Sequence, residues 1–259
     1  MKINRPLKTR LLSLLVPLII IGAPAAVQAA EPLRMVVGTM SYPFEVFDAQ
    51  GQMSGGLLKE LGDQLARELG TQPDYLRLPR RRVEPTLLAG EADIYCFDSP
   101  EWSENPKVLL WSIPSLKQIE RVLVPTNKPL PTRIPDDFVG QRVSVRLGYH
   151  YASIQPLFDA GKASRMDETQ TAFMFKAVET GHTDMLITSD GEIEGYFQSN
   201  PLARKKFAIA SKPFSVVATQ CAVSPKSRWS LEKVNKGLSS MLKRGEMDRM
   251  TKHYGLSMR

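Results

Sequence analysis

Cysteine is scarce in this 259-residue chain: only Cys96 and Cys221 are present. Two are too few for a disulfide-framework scaffold, but enough for one bridge in an oxidising compartment. The three histidines, His150, His182 and His253, are scattered, and no Gly-x-Ser-x-Gly, Walker, HExxH or clustered Cys/His pattern occurs. The signatures of a hydrolase, a metalloenzyme and a bound cofactor are therefore missing. One-sided charge is also lacking. Four of the 34 Lys and Arg lie in the first 29 residues, which hold no acid, so 30 bases face 27 acids beyond them. A balance of +3 gives no support for a nucleic-acid partner.

The one long apolar run, "LLSLLVPLIIIGA" (11–23), follows Lys2, Arg5, Lys8 and Arg10 and precedes small residues at Val27 and Ala29. This is the layout of a cleavable secretory leader over residues 1–29, with cleavage expected after Ala29. The run is short for a membrane span, and nothing after it reads as a stop signal. No cysteine follows it to carry a lipid. Export to the periplasm is the expectation.

Beyond the leader the chain alternates. "LRMVVGT" (33–39) reads as a strand, and Leu58, Leu61, Leu65 and Leu69 recur at helical spacing before Gly70. "DYLRLP" (74–79), "VEPTLLAG" (83–90) and "ADIYCF" (92–97) continue as strand, short helix and strand. A second series follows a proline-rich connection: "QRVSVRLG" (141–148), "YASIQPLFDAG" (151–161), "SRMDE" (164–168), "TAFMFKAVETG" (171–181) and "DMLIT" (184–188). "IERVLVP" (119–125) and "FSVVATQCAVS" (214–224) read as long apolar strands, and a helical end is capped by Ser230.

One junction is made twice. "LLAGEAD" and "AVETGHTD" each end a helix at glycine and enter a buried strand after Gly-x-x-Asp, with Gly90 and Gly181 lying 91 residues apart. Glycine tolerates the left-handed helix cap. The repeat predicts two α/β lobes with a ligand crevice at the carboxyl ends of their strands; a single larger sheet with two similar crossovers is the alternative.

Five segments in order resemble the family 3 extracellular solute-binding proteins, the periplasmic polar-amino-acid binders: "YPFEVFDAQGQMSGGLLKEL", "LLAGEADIY", "DDFVGQRVSVRLGYHY", "AVETGHTDMLITSD" and "LEKVNKGLSSMLKRGEMDRMTKHYG". The resemblance implies a two-lobed periplasmic binding protein type II fold with the ligand cleft between lobes. Lobe one would be residues 30–120 completed by 215–259, and lobe two residues 121–214. It implies a monomer that delivers a small polar or anionic ligand to an inner-membrane ABC permease or a sensor. It also makes the segments of Cys96 and Cys221 neighbours, as a bridge or as two buried thiols.

The same layout nominates ligand contacts. Tyr42 and Phe44 would form a cleft wall, although Phe44 reads equally as packing. Arg80 or Arg82, from the run Arg80–Arg82, would hold a carboxylate in bidentate fashion. Asp98, Ser99, Trp102 and Asn105 follow a strand end that should face the crevice. Tyr149 and His150 would open a helix whose free N–H groups attract anions. The chain also departs from the family pattern. Asn105 stands where the amino-acid binders carry arginine, and Ser189, beside Asp190, stands where they carry an acid. A dehydratase of the cyclohexadienyl type on the same fold is the second functional expectation, with Glu192 or Glu194 as general acid.

Overall fold

The computed structural model describes residues 1–2, 31–38, 40–103 and 105–256. The expected leader lies outside the described residues, apart from its first two. From residue 33 the chain forms β1 (Leu33–Val37), a short hairpin of β2 (Val46–Phe47) and β3 (Met53–Gly55), then α1 (Leu57–Glu68), β4 (Pro73–Arg77), α2 (Arg80–Ala89) and β5 (Ile94–Asp98). Next come β6 (Leu110–Trp111) and the long β7 (Leu116–Pro125). The second series is β8 (Arg142–Arg146), α3 (Gln155–Asp159), β9 (Ser164–Glu168), α4 (Thr171–Glu179) and β10 (Met185–Ser189), followed by α5 (Asp190–Ser199) and β11 (Phe207–Ile209). The chain then returns through β12 (Ser215–Val223) to α6 (Leu231–Lys243) and α7 (Glu246–His253).

The main sheet runs β4-β1-β5-β12-β7-β10-β8-β9. Its two wings have the same local order, with the first strand of each series in the middle and the third innermost. Within each wing the strands are parallel, whereas the central pair β7 and β12 is antiparallel over Leu116–Glu120 and Ser215–Thr219. Right-handed crossovers on parallel strands place helices against each wing. One apolar core gathers Leu33, Leu61, Cys96, Cys221 and Leu238, and a smaller one beside it holds Val83, Leu87 and Tyr95. Two others, around Phe138 and Ile187 and around Phe175 and Phe197, belong to residues between 122 and 214.

The repeated Gly-x-x-Asp acquires a concrete role. Gly90 and Gly181 both have left-handed φ, at 79° and 73°. Asp93 then accepts from the backbone N–H and guanidinium of Arg34 at 2.9–3.0 Å, and Asp184 does the same with Arg142. Each aspartate pins the start of the middle strand in its own wing.

Two expectations need correction. The helix expected at 83–90 starts at Arg80, because extended Pro79 caps it and the chain turns helical at once. The three arginines therefore sit in a first helical turn and not at a strand end. The helix expected from residue 151 is only Gln155–Asp159, entered at Pro156, so no long helix opens at Gly148–Tyr151.

Cys96 and Cys221 lie on adjacent strands β5 and β12 and are joined as a disulfide. The bridge closes a loop of 125 residues, which on the chain-entropy description stabilises by about 4–5 kcal/mol. Replacing both cysteines by serine should lower the unfolding free energy in urea by several kcal/mol, and a thiol reductant should do the same to the native chain. Two free thiols in the oxidised protein by mass spectrometry, or equal stability of the variant, would refute the assignment.

Candidate functional site

Strands β8 and β10 end side by side, and their last residues turn toward the segment that follows β1. Arg146, the final residue of β8, is 7% exposed. Its guanidinium donates to Glu192 Oε1 (2.5 Å), Thr171 Oγ1 (2.7 Å), Ser41 Oγ (3.0 Å) and the Thr169 carbonyl (2.7 Å). Glu192, in the first turn of α5, also accepts from Thr188 Oγ1 (2.7 Å) and from the Ser41 backbone N–H (3.0 Å). Burial alone would push the Glu192 carboxyl up. Arg146 and the Thr188, Ser41 and Thr171 donors outweigh it and hold the group below its ordinary value. Glu192 is thus a buried carboxylate whose donors come from both wings of the sheet.

A second buried ion pair faces it from the first wing. Arg80 Nη1 lies 2.9 Å from Asp98 Oδ2, with side chains 9% and 3% exposed. Arg80 Nη2 reaches Asp98 Oδ1 at 3.3 Å and the Trp102 carbonyl at 3.4 Å, and its guanidinium stands 5.3 Å from the Tyr95 ring. Burial raises the Asp98 carboxyl, and Arg80 is the main opposing influence. These residues, with Phe97, Gln118 and Tyr149, enclose a recess of about 10 Å³. Phe97 has φ 63°, a left-handed conformation uncommon for a bulky residue and here found at a strand end lining a site. The buried Gln118 Oε1 has no hydrogen-bond partner among the described residues. Such an acceptor calls for a donor.

The recess shares Arg80, Trp102 and Tyr149 with a groove of about 670 Å³, whose far wall includes His150, Gln155, Arg165 and Asp167. The structure therefore brings Arg80, Asp98, Trp102, Asn105, Tyr149 and His150 to one cleft, with Asn105 exposed on its rim. Tyr149 O–H also contacts Met40 Sδ at 3.0 Å. Tyr42 is 44% exposed, donates to Gln198 at 3.2 Å and borders neither the recess nor the groove.

Other candidates are placed elsewhere. Phe44 is buried against Phe97, with ring centroids 4.8 Å apart, and belongs to the core. Arg82 is exposed and borders neither recess nor groove, because one residue of helix turns it about 100° from Arg81. Ser99 caps a short turn by accepting from the Glu101 N–H, and Ser189 caps α5 by accepting from Glu192 N–H. Asp190, the first residue of α5, pairs at 2.6 Å with Arg121 of β7. Glu194 is half exposed in a pair with Arg204. Arg146, Ser41, Thr171, Tyr95 and Gln118 were not singled out from sequence. An arginine ending the apolar strand "VSVR" was a readable signal for the first of them.

Two further carboxyls are tuned. Burial raises Glu45 to about 7, although it accepts from the Met40 and Gly38 N–H groups; nearby Glu192 adds to the rise. Burial likewise raises Glu120 to about 7, with Ser215 Oγ at 2.6 Å opposing and Glu192 again adding. Each binds its proton more tightly folded than unfolded, so each stabilises less as pH rises from about 4.5 through about 7. Unfolding free energy should therefore fall across that window, and Glu45→Gln with Glu120→Gln should flatten the slope. A slope unchanged in the double variant, followed by denaturant titration at each pH, would contradict this.

Solved structures of similar shape extend over 86% of this chain. An ancestral arginine-binding protein bound to arginine superposes with a TM-score of 0.73 at 21% identity, with 97% of its own length covered. The ancestral amino acid-binding protein AncCDT-1, a precursor of cyclohexadienyl dehydratase, gives 0.69 at 23% identity and 95% of its length. A solute receptor for L-cysteine from Neisseria gonorrhoeae gives 0.68 at 19% identity and 89% of its length. No curated protein matches the sequence. Residues 33–257 match the bacterial extracellular solute-binding proteins, family 3, and the chain belongs to that family.

Proposed function

We propose that this solute-binding protein captures a small polar ligand of no net charge, an amino acid or a close relative, in the cleft between two lobes that close on it. The observation that carries this reading is charge balance. The two buried cations of the cleft region, Arg80 and Arg146, are each matched by a buried carboxylate, Asp98 and Glu192. An added net charge would enter this low-dielectric space without a counter-ion, which is costly. A zwitterion brings both signs and exchanges partners with the pairs already present. Its N–H groups would satisfy Gln118 Oε1, while Trp102 and Tyr149 cover its side chain.

The proposed lobes are residues 30–120 with 215–259, and residues 121–214, hinged at β7 and β12. The separate apolar cores support that division, and the Ser41–Glu192 and Tyr42–Gln198 contacts would then cross from lobe to lobe. The proposed setting is the periplasm, reached through the leader, with an ABC permease or a sensor reading the closed monomer.

The dehydratase reading requires a protonated carboxyl facing the ligand at neutral pH. Glu192 is held ionised by Arg146, and Glu194 points to Arg204, so neither suits a general acid.

A thermal-shift screen tests the proposal. At a hundredfold excess over Kd a ligand adds about 2.7 kcal/mol, or roughly 5–10 °C for a chain of this size. Neutral amino acids should produce that shift and Trp102→Ala should lose it, while dicarboxylates and polyamines should not. A shift confined to charged compounds would overturn the charge argument. Prephenate should persist in the presence of the protein; its turnover, abolished by Glu192→Gln, would establish the enzyme instead.

A further inference from the structure

Alternate residues of β7 border different spaces. Gln118 borders both the ligand recess and a second cavity of about 290 Å³, whereas Lys117, Ile119 and Arg121 border only the second of these. Phe44 and Leu256 wall this cavity on one side, and Ile193 and Ile209 on the other. The walls approach closely where α5 begins, since a Cβ at Gly191 would lie 2.7 Å from Phe44 and 2.9 Å from Leu256. Its size is at the lower end for small-molecule sites.

The charges around it are compensated with one exception. Asp190 is paired with Arg121, which also donates to the Ala210 and Ser211 carbonyls, and Glu194 is paired with Arg204. Asp248 shares a shallow recess with Lys117 but forms no ion pair with it. The Lys117 ammonium has no hydrogen-bond or ion-pair partner among the described residues. The cavity is thus an apolar box bordered by one uncompensated ammonium.

We propose that this cavity is a second binding site, for a small carboxylate with a compact apolar or aromatic body. The carboxylate pairs with Lys117, and the body packs among Phe44, Ile119, Ile193, Ile209 and Leu256. The site meets the recess at Gln118 and is otherwise lined by different residues from the cleft, so it does not rest on what the cleft holds. Because its walls come from both sides of the central strands, an occupant favours the arrangement that keeps them together.

Calorimetric titration of the mature chain with phenylacetate tests this. Phenylacetate should bind with one-to-one stoichiometry, and neutral phenylacetamide about tenfold more weakly, since a charge-assisted contact is lost. Lys117→Gln should weaken phenylacetate by about tenfold, and Ile209→Trp, which fills the cavity, should abolish binding. Lys162→Gln, a change at a distant exposed lysine, should leave it intact. The proposal fails if the wild type does not bind phenylacetate, if the amide binds as well, or if Lys117→Gln or Ile209→Trp binds undiminished. Lys117→Gln changes a partly exposed side chain and keeps the test decisive should Ile209→Trp not fold.

Discussion

A carboxylate taken out of water must find a cation and donors for its remaining lone pairs, or it will not stay charged. Glu192 meets that demand with partners from three places: Arg146 at the end of β8, Thr171 and Thr188 beside it, and the backbone of Ser41 after β1. Removing any one strands part of a buried charge. The ends of the two wings are therefore held in register by an electrostatic requirement as well as by the continuous sheet. The contacts of Tyr42 with Gln198 and of Tyr149 with Met40 join the same two wings.

The same economy of charge shapes the cleft. Arg80, one of the two arginines expected to hold a ligand carboxylate, has its guanidinium engaged by Asp98 and near the Tyr95 ring. It is a neutralised pair and not a bare anion receptor. The Gln118 oxygen without a partner among the described residues and the left-handed Phe97 both lie on this recess, which is why the proposed ligand is placed there.

Much of the architecture was legible because it repeats. Gly90 and Gly181 gave away two matching helix-to-strand junctions, and leucine spacing gave α1. What the repeat could not reveal was the partner of each aspartate: Arg34 and Arg142 lie far away in sequence and meet Asp93 and Asp184 only through parallel strand pairing. The site was less legible for the same reason. Arg146 and Ser41 are 105 residues apart and become neighbours only when the wings fold together. Local rules also misled: Pro79 starts a helix where a strand end was expected, which turned Arg82 to solvent. Ser189 caps α5 and Asp190 pairs with Arg121, partners that lie too far away in the chain or too local in turn geometry for the family pattern to have revealed them.

The central proposal is that the Glu192 cluster, through Ser41, holds two hinged lobes together. It is tested most directly by the distance between spin labels placed at exposed Glu91 and Lys162, measured by pulsed electron resonance in the native background and in Glu192→Ala. A single short distance in the first, giving way to a longer and broader distribution in the second, is the predicted result. Identical narrow distributions in both would mean that the wings are one rigid body and that Glu192 closes nothing.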